Sequence, residues 1–497
     1  MKDLFRRCRK DFVATEDIIP DDIASGTRQQ FSCLHAIVTP TTVHLEGPFP
    51  ERCNRVIRKY AQNTSSFIRV RFTDEARLQF RQGRDVDYRA FIRERFGSVL
   101  QKGLVIAGRH FHFVGYSQSG LKEHSVWFVK DFVHELVAPD GSVSKETVTA
   151  DTILAGLGTF DSLAHDPHLM ECPARYGARI SQSFSATEAS TAVRIDKIEI
   201  IPDIMDADGE RAFTDGVGTI SPQVARDIYA ALCQGSRRRL SPDVPAAFQT
   251  RIQGAKGMHS VDHTLSGSIV RLRPSMIKFD APGQAVLEIA GVFTRPGKFH
   301  LNRPLIMLLE ELDMAGGYDF LESLQQRVVD ETETASQSLE NAARLFENSG
   351  LGATYGLSTV FRDLSALGIE NLLDPFSQQL IDFGKHHVLR DLKYHARIPI
   401  PGGWNLVGVA DVHGYLEEDT IFVCIVPADG EAPIYLHGWA MIARSPVVHR
   451  GDVRVVRAIG PPTSGSPFEI EPLKNTIVFS TKGEFLLSGF LQLTPIS

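Results

Sequence analysis

The order of elements along the 497 residues predicts an α+β protein, and three observations carry the prediction. Residues 136–305 read mostly as short strands and turns, residues 304–348 change to amphipathic helical spacing, and from Ile398 the chain returns to strands. Several short strands with few helices between them point to a barrel or a sandwich. A chain of 497 residues is too long for one core, so two to four domains are expected.

In the N-terminal part, Phe67-Ile68-Arg69-Val70-Arg71-Phe72 alternates apolar and basic residues as a half-buried strand does. Phe91, Ile92, Phe96 and Val99 fall at helical spacing and predict a helix over 87–99, and His110 to Tyr116 predicts another strand. Lys197 to Pro202 is a strand, Asp206-Ala207-Asp208-Gly209 a turn, and Phe213 begins the next element. Ser268 to Arg273 and Val286 to Gly291 are further strands. Leu305, Leu308 and Leu309, then Leu321, Leu324 and Val328, then Leu339, Ala343 and Phe346 are spaced for amphipathic helices, closed by Ser349-Gly350 and Gly352. A second helical stretch covers 372–392.

The net charge of −7 excludes a uniformly basic nucleic-acid binder, but the charge is uneven. Residues 51–110 hold 14 Lys/Arg against 6 Asp/Glu, a local net of +8, and Lys2, Arg6, Arg7, Arg9 and Lys10 add to it. This is either a phosphate-binding groove or a solvated face with Arg-rich helices. Six cysteines (Cys8, Cys33, Cys53, Cys172, Cys233, Cys424) form no C-x-x-C pair and no zinc spacing, which fits a reducing compartment. No apolar run approaches membrane-spanning length, and no apolar segment follows the basic N-terminus as in a secretory signal, so nucleus or cytoplasm is expected and no membrane partner.

Phe213-Thr214-Asp215-Gly216-Val217-Gly218-Thr219-Ile220-Ser221 is the strongest internal motif. Gly216 and Gly218 let another chain segment approach closely, with Asp215 capping or orienting the turn; alternatively it is an ordinary glycine-rich turn between strands. Arg251-Ile252-Gln253-Gly254-Ala255-Lys256-Gly257 then places a lysine between glycines, suited to phosphate contact without being a Walker A loop. In Leu272-Arg273-Pro274-Ser275-Met276-Ile277-Lys278-Phe279 a proline-fixed turn precedes a second lysine. His449, Asp452 and Arg454 offer a hydrogen-bonded polar cluster near a turn, or a strand-ending turn held by Asp452. Asp203, Asp206, Asp208 and Glu210 imitate a calcium loop, but aligning Gly209 puts Ile204 at the first ligand position, so a hairpin turn is expected. The pairs His110/His112 and His386/His387 are read as parts of strands or solvent-facing turns.

These motifs, in this order, resemble those of the eukaryotic cellular RNA-dependent RNA polymerases of RNA silencing, fungal-like in type. Further blocks are similar: Asn54 to Arg58, Gly115 to Phe128, Arg179 to Ser185, Leu301 to Ile306, Ala396 to Pro399, Gly408 to Leu416 and Ala443 to Arg454, with Ser445 where the family has Asn. The resemblance implies a polymerase core of two double-psi β-barrels joined by a helical connector. Its domains would be 1–135 (mixed α/β with the basic region), 136–305 (first barrel), 306–392 (connector) and 393–497 (second barrel, incomplete). It further implies that Lys256 and Lys278 face nucleotide and RNA phosphates. Asp215, Gly216, Gly218, Arg251, Gly254, Gly257 and Arg273 would shape the substrate site, with Arg444, His449, Asp452 and Arg454 in support.

RNA synthesis is phosphoryl transfer, and the family resemblance implies Mg2+ held by an Asp-x-Asp-Gly-Asp loop. Pro472-Leu473-Lys474-Asn475-Thr476-Ile477-Val478-Phe479-Ser480-Thr481-Lys482-Gly483 resembles the approach to that loop, yet Glu484-Phe485-Leu486-Leu487-Ser488-Gly489-Phe490 follows. Asp85-Val86-Asp87 and Asp206-Ala207-Asp208 are the nearest patterns elsewhere. The expectations are therefore an RNA-directed RNA polymerase whose 497-residue chain is an inactive fragment, with metal ligands missing, or a catalytically dead RNA-binding or regulatory derivative. A non-polymerase RNA-binding protein on the same barrels is a third reading. RNA template, nucleoside triphosphates and silencing-pathway proteins are the expected partners. A second barrel lacking its closing strands would expose strand edges and apolar surface.

Overall fold

The computed structural model describes residues 30–79, 88–137, 141–161, 163, 166–190, 193–234, 243–281, 286–311, 317–352, 356–369, 374–427, 432–445, 447, 449–483 and 490–495. The basic residues 2–10, Cys8 and Asp85-Val86-Asp87 lie outside them. The chain divides into two compact units: Met1–Asp203 with Asp215–Val244 and Phe248–Val292, and Ile204–Thr214 with Pro245–Ala247 and Phe293–Ser497.

The first unit opens with β1 (Gln30–Val38), β2 (Val43–Arg52), α1 (Arg55–Lys59), β3 (Phe67–Phe72), α2 (Tyr88–Lys102), β4 (Leu104–Ile106), β5 (Arg109–Gly115), α3 (Gln118–Lys122) and β6 (Ser125–Val129). The six strands form one sheet in the order β2-β1-β3-β6-β5-β4, with β1 and β3 parallel. The alternation in β3 buries Ile68, Val70 and Phe72 on one face and turns Arg71 outward on the other, where Phe67 packs into a separate core cluster. α2 packs Phe96 under this sheet, its ring 5.1 Å from that of Phe72. α1 begins where the Asn54 side chain accepts the Ile57 amide at 2.9 Å. A hairpin of β7 (Phe132–Val137) and β8 (Val143–Val148) follows, then α4 (Ala150–Ala155) and α5 (Pro173–Ile180).

The remainder of the unit is a seven-stranded mixed sheet. It contains β9 (Glu188–Ser190), β10 (Lys197–Ile200), β11 (Val217–Ile220), β12 (Ala247–Ile252), β13 (Ala255–Val261), β14 (Ile269–Leu272) and β15 (Leu287–Val292), with α6 (Pro222–Gln234) after β11. The spatial order is β10-β14-β11-β13-β12-β15-β9. β10 runs parallel to β14 and β11 parallel to β13, so the chain crosses over the sheet instead of meandering. The strand after Phe213 begins only at Val217; Phe213 itself is buried ahead of it. α6 was not foreseen. Its Val224, Ala225, Ile228 and Tyr229 are buried at helical spacing, and Ser221 before Pro222 is a start signal that the surrounding strand-rich segments masked.

The second unit holds β16 (Gly297–His300), then α7 (Arg303–Glu311), α8 (Gly317–Glu333), α9 (Leu339–Ser349), α10 (Leu357–Ala366) and α11 (Pro375–His395). The spaced apolar residues foreseen as helical stripes are its core: Leu305, Leu308, Leu309, Leu324 and Val328 in one cluster, Leu339, Ala343 and Phe346 in another. α9 ends at Gly350 in the left-handed region (φ 71°). α10 was missed, and the His386/His387 pair falls inside α11, where His387 lies 3.5 Å from Asp391 one turn on.

β17 (Pro399–Ala410), β18 (Thr420–Ile425), β19 (Ile434–Tyr435), β20 (His437–Arg444), β21 (Val453–Ile459), α12 (Pro467–Ile470), β22 (Thr476–Phe479) and β23 (Phe490–Pro495) complete the chain. β17, β22, β18, β21, β20 and β23 hydrogen-bond in that order, and β23 also pairs with β17, which closes a ring. This corrects the expectation of an open second barrel. The tail supplies the strand that pairs antiparallel with β17 on one side and β20 on the other. Any extended segment can satisfy a strand edge through its backbone, so pairing needs no family motif. Inside the ring lie Leu406, Ile421, Val423, Ile425, Ala440, Ile442, Val456 and Ile477. No helix among the described residues is long and apolar enough to cross a membrane.

Candidate phosphate-binding site

The site of the first unit is built on a two-residue hairpin turn. Gln253 (φ 46°) and Gly254 (φ 82°) both take positive φ between β12 and β13, the backbone of the turn type that matches strand twist. A Cβ on Gly254 would lie 1.9 Å from the Phe279 carbonyl oxygen, so only glycine fits. The turn is pinned to the segment after β14: Ala255 bridges Ile277, and the Lys278 amide donates to the Gly254 carbonyl at 3.2 Å. That pairing brings Lys256 and Lys278, 22 positions apart in the chain, to one place.

The glycine-rich loop joins them from the other side. The Met258 amide donates to the Gly216 carbonyl at 2.9 Å, and a Cβ on Gly257 would sit 2.3 Å from that same oxygen. A Cβ on Gly218 would meet the Arg271 carbonyl oxygen at 2.3 Å. Gly257 and Gly218 therefore serve close backbone packing, whereas Gly216, with nothing within 4 Å of a Cβ, does not: its left-handed backbone (φ 71°) is what favours glycine there. The Gly216 amide donates to Ser275 Oγ at 3.0 Å, and Asp203 accepts from both Ser275 Oγ (2.8 Å) and the Ser275 amide (2.9 Å). The turn-orienting role expected of Asp215 thus falls to Asp203 and Ser275. Asp215 is exposed and acts instead on the Lys278 ammonium, whose Nζ donates to the Ser275 carbonyl.

Electrostatics mark this place. Burial, then the charges of Arg251, Lys278 and Arg179, push the Lys256 ammonium below the ordinary lysine range. Lys278 is lowered by burial first; Asp215 opposes the shift and Arg179 adds to it. Burial also lowers Arg251, whose guanidinium donates to the Gln182 carbonyl, and Arg273, which donates to Pro202. A group of half-buried cations that lower one another's proton affinity is relieved by an anion. Arg179 was named only within a sequence block, and Asp203 and Ser275 were not assigned roles. Nothing in their local pattern signals this, because the partners are more than 50 residues away.

The basic stretch 51–110 divides between the two readings. Arg58 and Arg69 are held in ion pairs with Glu288 (2.7 Å) and Glu51 (3.0 Å), while Arg93 and Arg95 of α2 are exposed. His110 and His112 lie on β5 with rings 4.1 Å apart. Asp206 closes a hairpin by accepting the Glu210 and Arg211 amides at 3.0 and 3.1 Å, as the failed calcium spacing predicts.

In the second unit, His449 and Asp452 form a capping box. The His449 amide donates to Asp452 at 2.8 Å and the Gly451 amide to His449 Nδ1 at 3.0 Å. Arg454 reaches Asp419 at 2.9 Å, and Arg444 is exposed at the end of β20. The carboxylates near the end of β22 are already engaged. Glu417 pairs with Lys482 at 2.8 Å, Asp419 with Arg454, and buried Asp411 accepts the His413 and Leu416 amides at 3.1 and 2.6 Å. Ser480-Thr481-Lys482-Gly483 offers no carboxylate. These donors do not fit a pair of divalent ions, which needs several carboxylates converging without competing cations.

The site is thus a mixed β-sheet in which Lys256 of β13 and Lys278 beyond β14 share one place with Arg251 and Arg179. The chain belongs to the RNA-dependent RNA polymerase family, whose model matches residues 38–492. It is 31% identical over 454 residues to RNA-dependent RNA polymerase 1 of Arabidopsis thaliana, covering 90% of this chain and 37% of that one. It is 28% identical over 500 residues to RNA-dependent RNA polymerase 1 of Schizosaccharomyces pombe, covering 95% of this chain and again 37% of the relative. Among solved structures, the RNA dependent RNA polymerase QDE-1 from Thielavia terrestris superposes with a TM-score of 0.67 at 19% identity, over 95% of this chain and 54% of that one. That likeness concerns the fold, mixed α and β.

Proposed function

We propose that this protein serves RNA-directed RNA synthesis in RNA silencing, nucleotidyl transfer that makes complementary RNA for small-RNA production. The observation that carries the reading is the convergence of Lys256 and Lys278 among Arg251 and Arg179, in a chain of this family. On this reading the seven-stranded sheet of the first unit is one double-psi barrel and the ring of the second unit the other. The four-part division at residues 135, 305 and 392 is retained as part of the proposal, with the second barrel closed by β23.

In the reaction, the lysines neutralise phosphate charge of the RNA or of an incoming nucleoside triphosphate. Charge neutralisation and positioning are most of what phosphoryl transfer asks of a protein. Arg251 and Arg273 hold backbone carbonyls and fix the walls from which the lysines project. Asp203 acts through Ser275 on Gly216, a positioning role. Magnesium, which the family implies, supplies Lewis-acid chemistry when bound; the carboxylates described above do not form a seat for it, and no step is derived through it. The 497-residue chain is therefore proposed to bind RNA and triphosphate without polymerising, in the nucleus or cytoplasm.

The test is twofold. The purified chain is assayed for binding to single-stranded RNA, and for incorporation of labelled nucleotide with Mg2+, with and without primer. Binding without incorporation is expected. Incorporation above that of a Lys256→Ala, Lys278→Ala double variant would overturn the inactivity, and absence of binding would overturn the site.

A further inference from the structure

The first unit contains a second place for an anion. A cavity of about 540 Å³ lies between α1, the β12–β13 turn and the segment around Gln182. Its charged lining residues are Arg55, Arg58, Lys59, Arg251 and Glu288. Glu288 is taken by Arg58 at 2.7 Å, and Arg58 also donates to Thr187 Oγ1 at 2.7 Å. Arg55, Lys59 and Arg251 are left facing the cavity with no other carboxylate among its lining residues. Three cations around one cavity, whose single carboxylate is already paired, favour an anionic ligand.

Size and wall chemistry narrow the ligand. The volume exceeds what one inorganic phosphate needs and falls within the range of small-ligand sites, about 300–1,000 Å³. The lining also includes the apolar residues Val56, Ile153 and Leu157 and the amide side chains of Gln182 and Gln253. We propose that this cavity binds a nucleoside 5′-phosphate, phosphate toward Arg55, Lys59 and Arg251, nucleoside along the apolar wall. The ligand is either a free nucleotide or the 5′-phosphorylated end of an RNA. The inference stands on cavity and charge and does not need the polymerase reading.

Calorimetry on the 497-residue chain, with AMP, adenosine and inorganic phosphate as probes, tests it. AMP is expected to bind at least about tenfold tighter than either adenosine or phosphate, since a charge-assisted hydrogen bond contributes about 1.5–3 kcal/mol. Arg55→Gln and Lys59→Gln are each expected to weaken AMP by about five- to tenfold, while Arg93→Gln, at an exposed position of α2 outside the cavity, leaves it unchanged. Two exposed or half-exposed positions are used so that one misfolded variant does not decide the matter; circular dichroism confirms the fold of each. Short RNAs with a 5′-phosphate or a 5′-hydroxyl separate the sources. A preference for the phosphorylated RNA assigns the site to RNA ends, and equal RNA binding with AMP still bound assigns it to free nucleotide. AMP binding no tighter than adenosine or phosphate overturns the proposal. So does AMP binding lost in Lys256→Ala but kept in Arg55→Gln, which places the ligand on the lysine pair.

Discussion

Removing the two lysines changes a number that only charge contacts with phosphate can change. Lys256→Ala and Lys278→Ala, singly and together, are compared with the parent chain in single-stranded RNA binding at several salt concentrations. Each phosphate neutralised contributes about 0.7 to the slope of log affinity against log salt for a single strand, so the double variant should flatten the slope by about 1.4. Each single loss should also cost about 1.5–3 kcal/mol, roughly 10- to 150-fold in affinity, the worth of a hydrogen bond to a charged group. The Lys278 charge lowers the Lys256 ammonium, so each single loss is partly offset by relief of that repulsion and the double variant should lose more than the sum. A pH series gives an independent check. Both ammonium groups are held below the ordinary value of 10.5, by burial first, and RNA binds the charged form. Affinity in the parent should therefore begin to fall at a lower pH than an ordinary exposed lysine would allow, and this early fall should disappear in the double variant. An unchanged salt slope in the double variant would refute the phosphate role of this pair.

Three other expectations follow from the same architecture. Gly254→Ala combines a left-handed residue, about 1–2 kcal/mol, with a methyl group 1.9 Å from a carbonyl oxygen, about 1–3 kcal/mol more, whereas Gly216→Ala (φ 71°, nothing within 4 Å) meets only the first; equal urea midpoints for the two would contradict the close approach at Phe279. Asp203→Ala strips the Ser275 amide and hydroxyl of their acceptor, which should cost about 1–3 kcal/mol in urea unfolding and weaken RNA binding, while Ser275→Ala should reproduce the binding loss; RNA affinity untouched in both would remove the positioning role. His259 is fully buried against Thr250 Oγ1 at 2.8 Å, and burial lowers its pKa from 6.5 to about 4, so the unfolded chain takes up a proton that the folded one refuses; stability should fall by about 3 kcal/mol as pH drops from 6.5 to 4, and His259→Gln should flatten that fall.

The legibility of the fold varied with the kind of signal. Strand β3 and the helices α7, α8, α9 and α11 were readable because their apolar residues repeat at the period of the element that buries them. α6 and α10 were not: α6 is a lone helix inside a strand-rich stretch, and α10, of 10 residues, follows the glycines that were read as closing the helical run. β23 was not read as a strand: its place is decided by the open backbone edges of β17 and β20, which lie far from it in the sequence. At the site, Lys256 between glycines and Lys278 after the Pro274 turn could be picked out and paired by family resemblance. The group that orients them could not, since Asp203 reaches Ser275 across 72 positions and looks in sequence like one more acidic residue before a turn.

By itself the amino-acid sequence determined what local chemistry can determine. It held the alternation of strands and helices, the glycines that permit close approach, the two lysines, the uneven basic charge, and the lack of an Asp-x-Asp-Gly-Asp loop in these 497 residues. Tertiary structure decided which distant residues share an environment: that Arg251 and Arg179 crowd Lys256, that Arg58 is spent on Glu288, and that a strand from the tail closes the second unit's ring. The physical reason is that burial and charge–charge energies depend on distances through space, and a pairing such as Ala255 with Ile277 sets those distances without any trace in local composition.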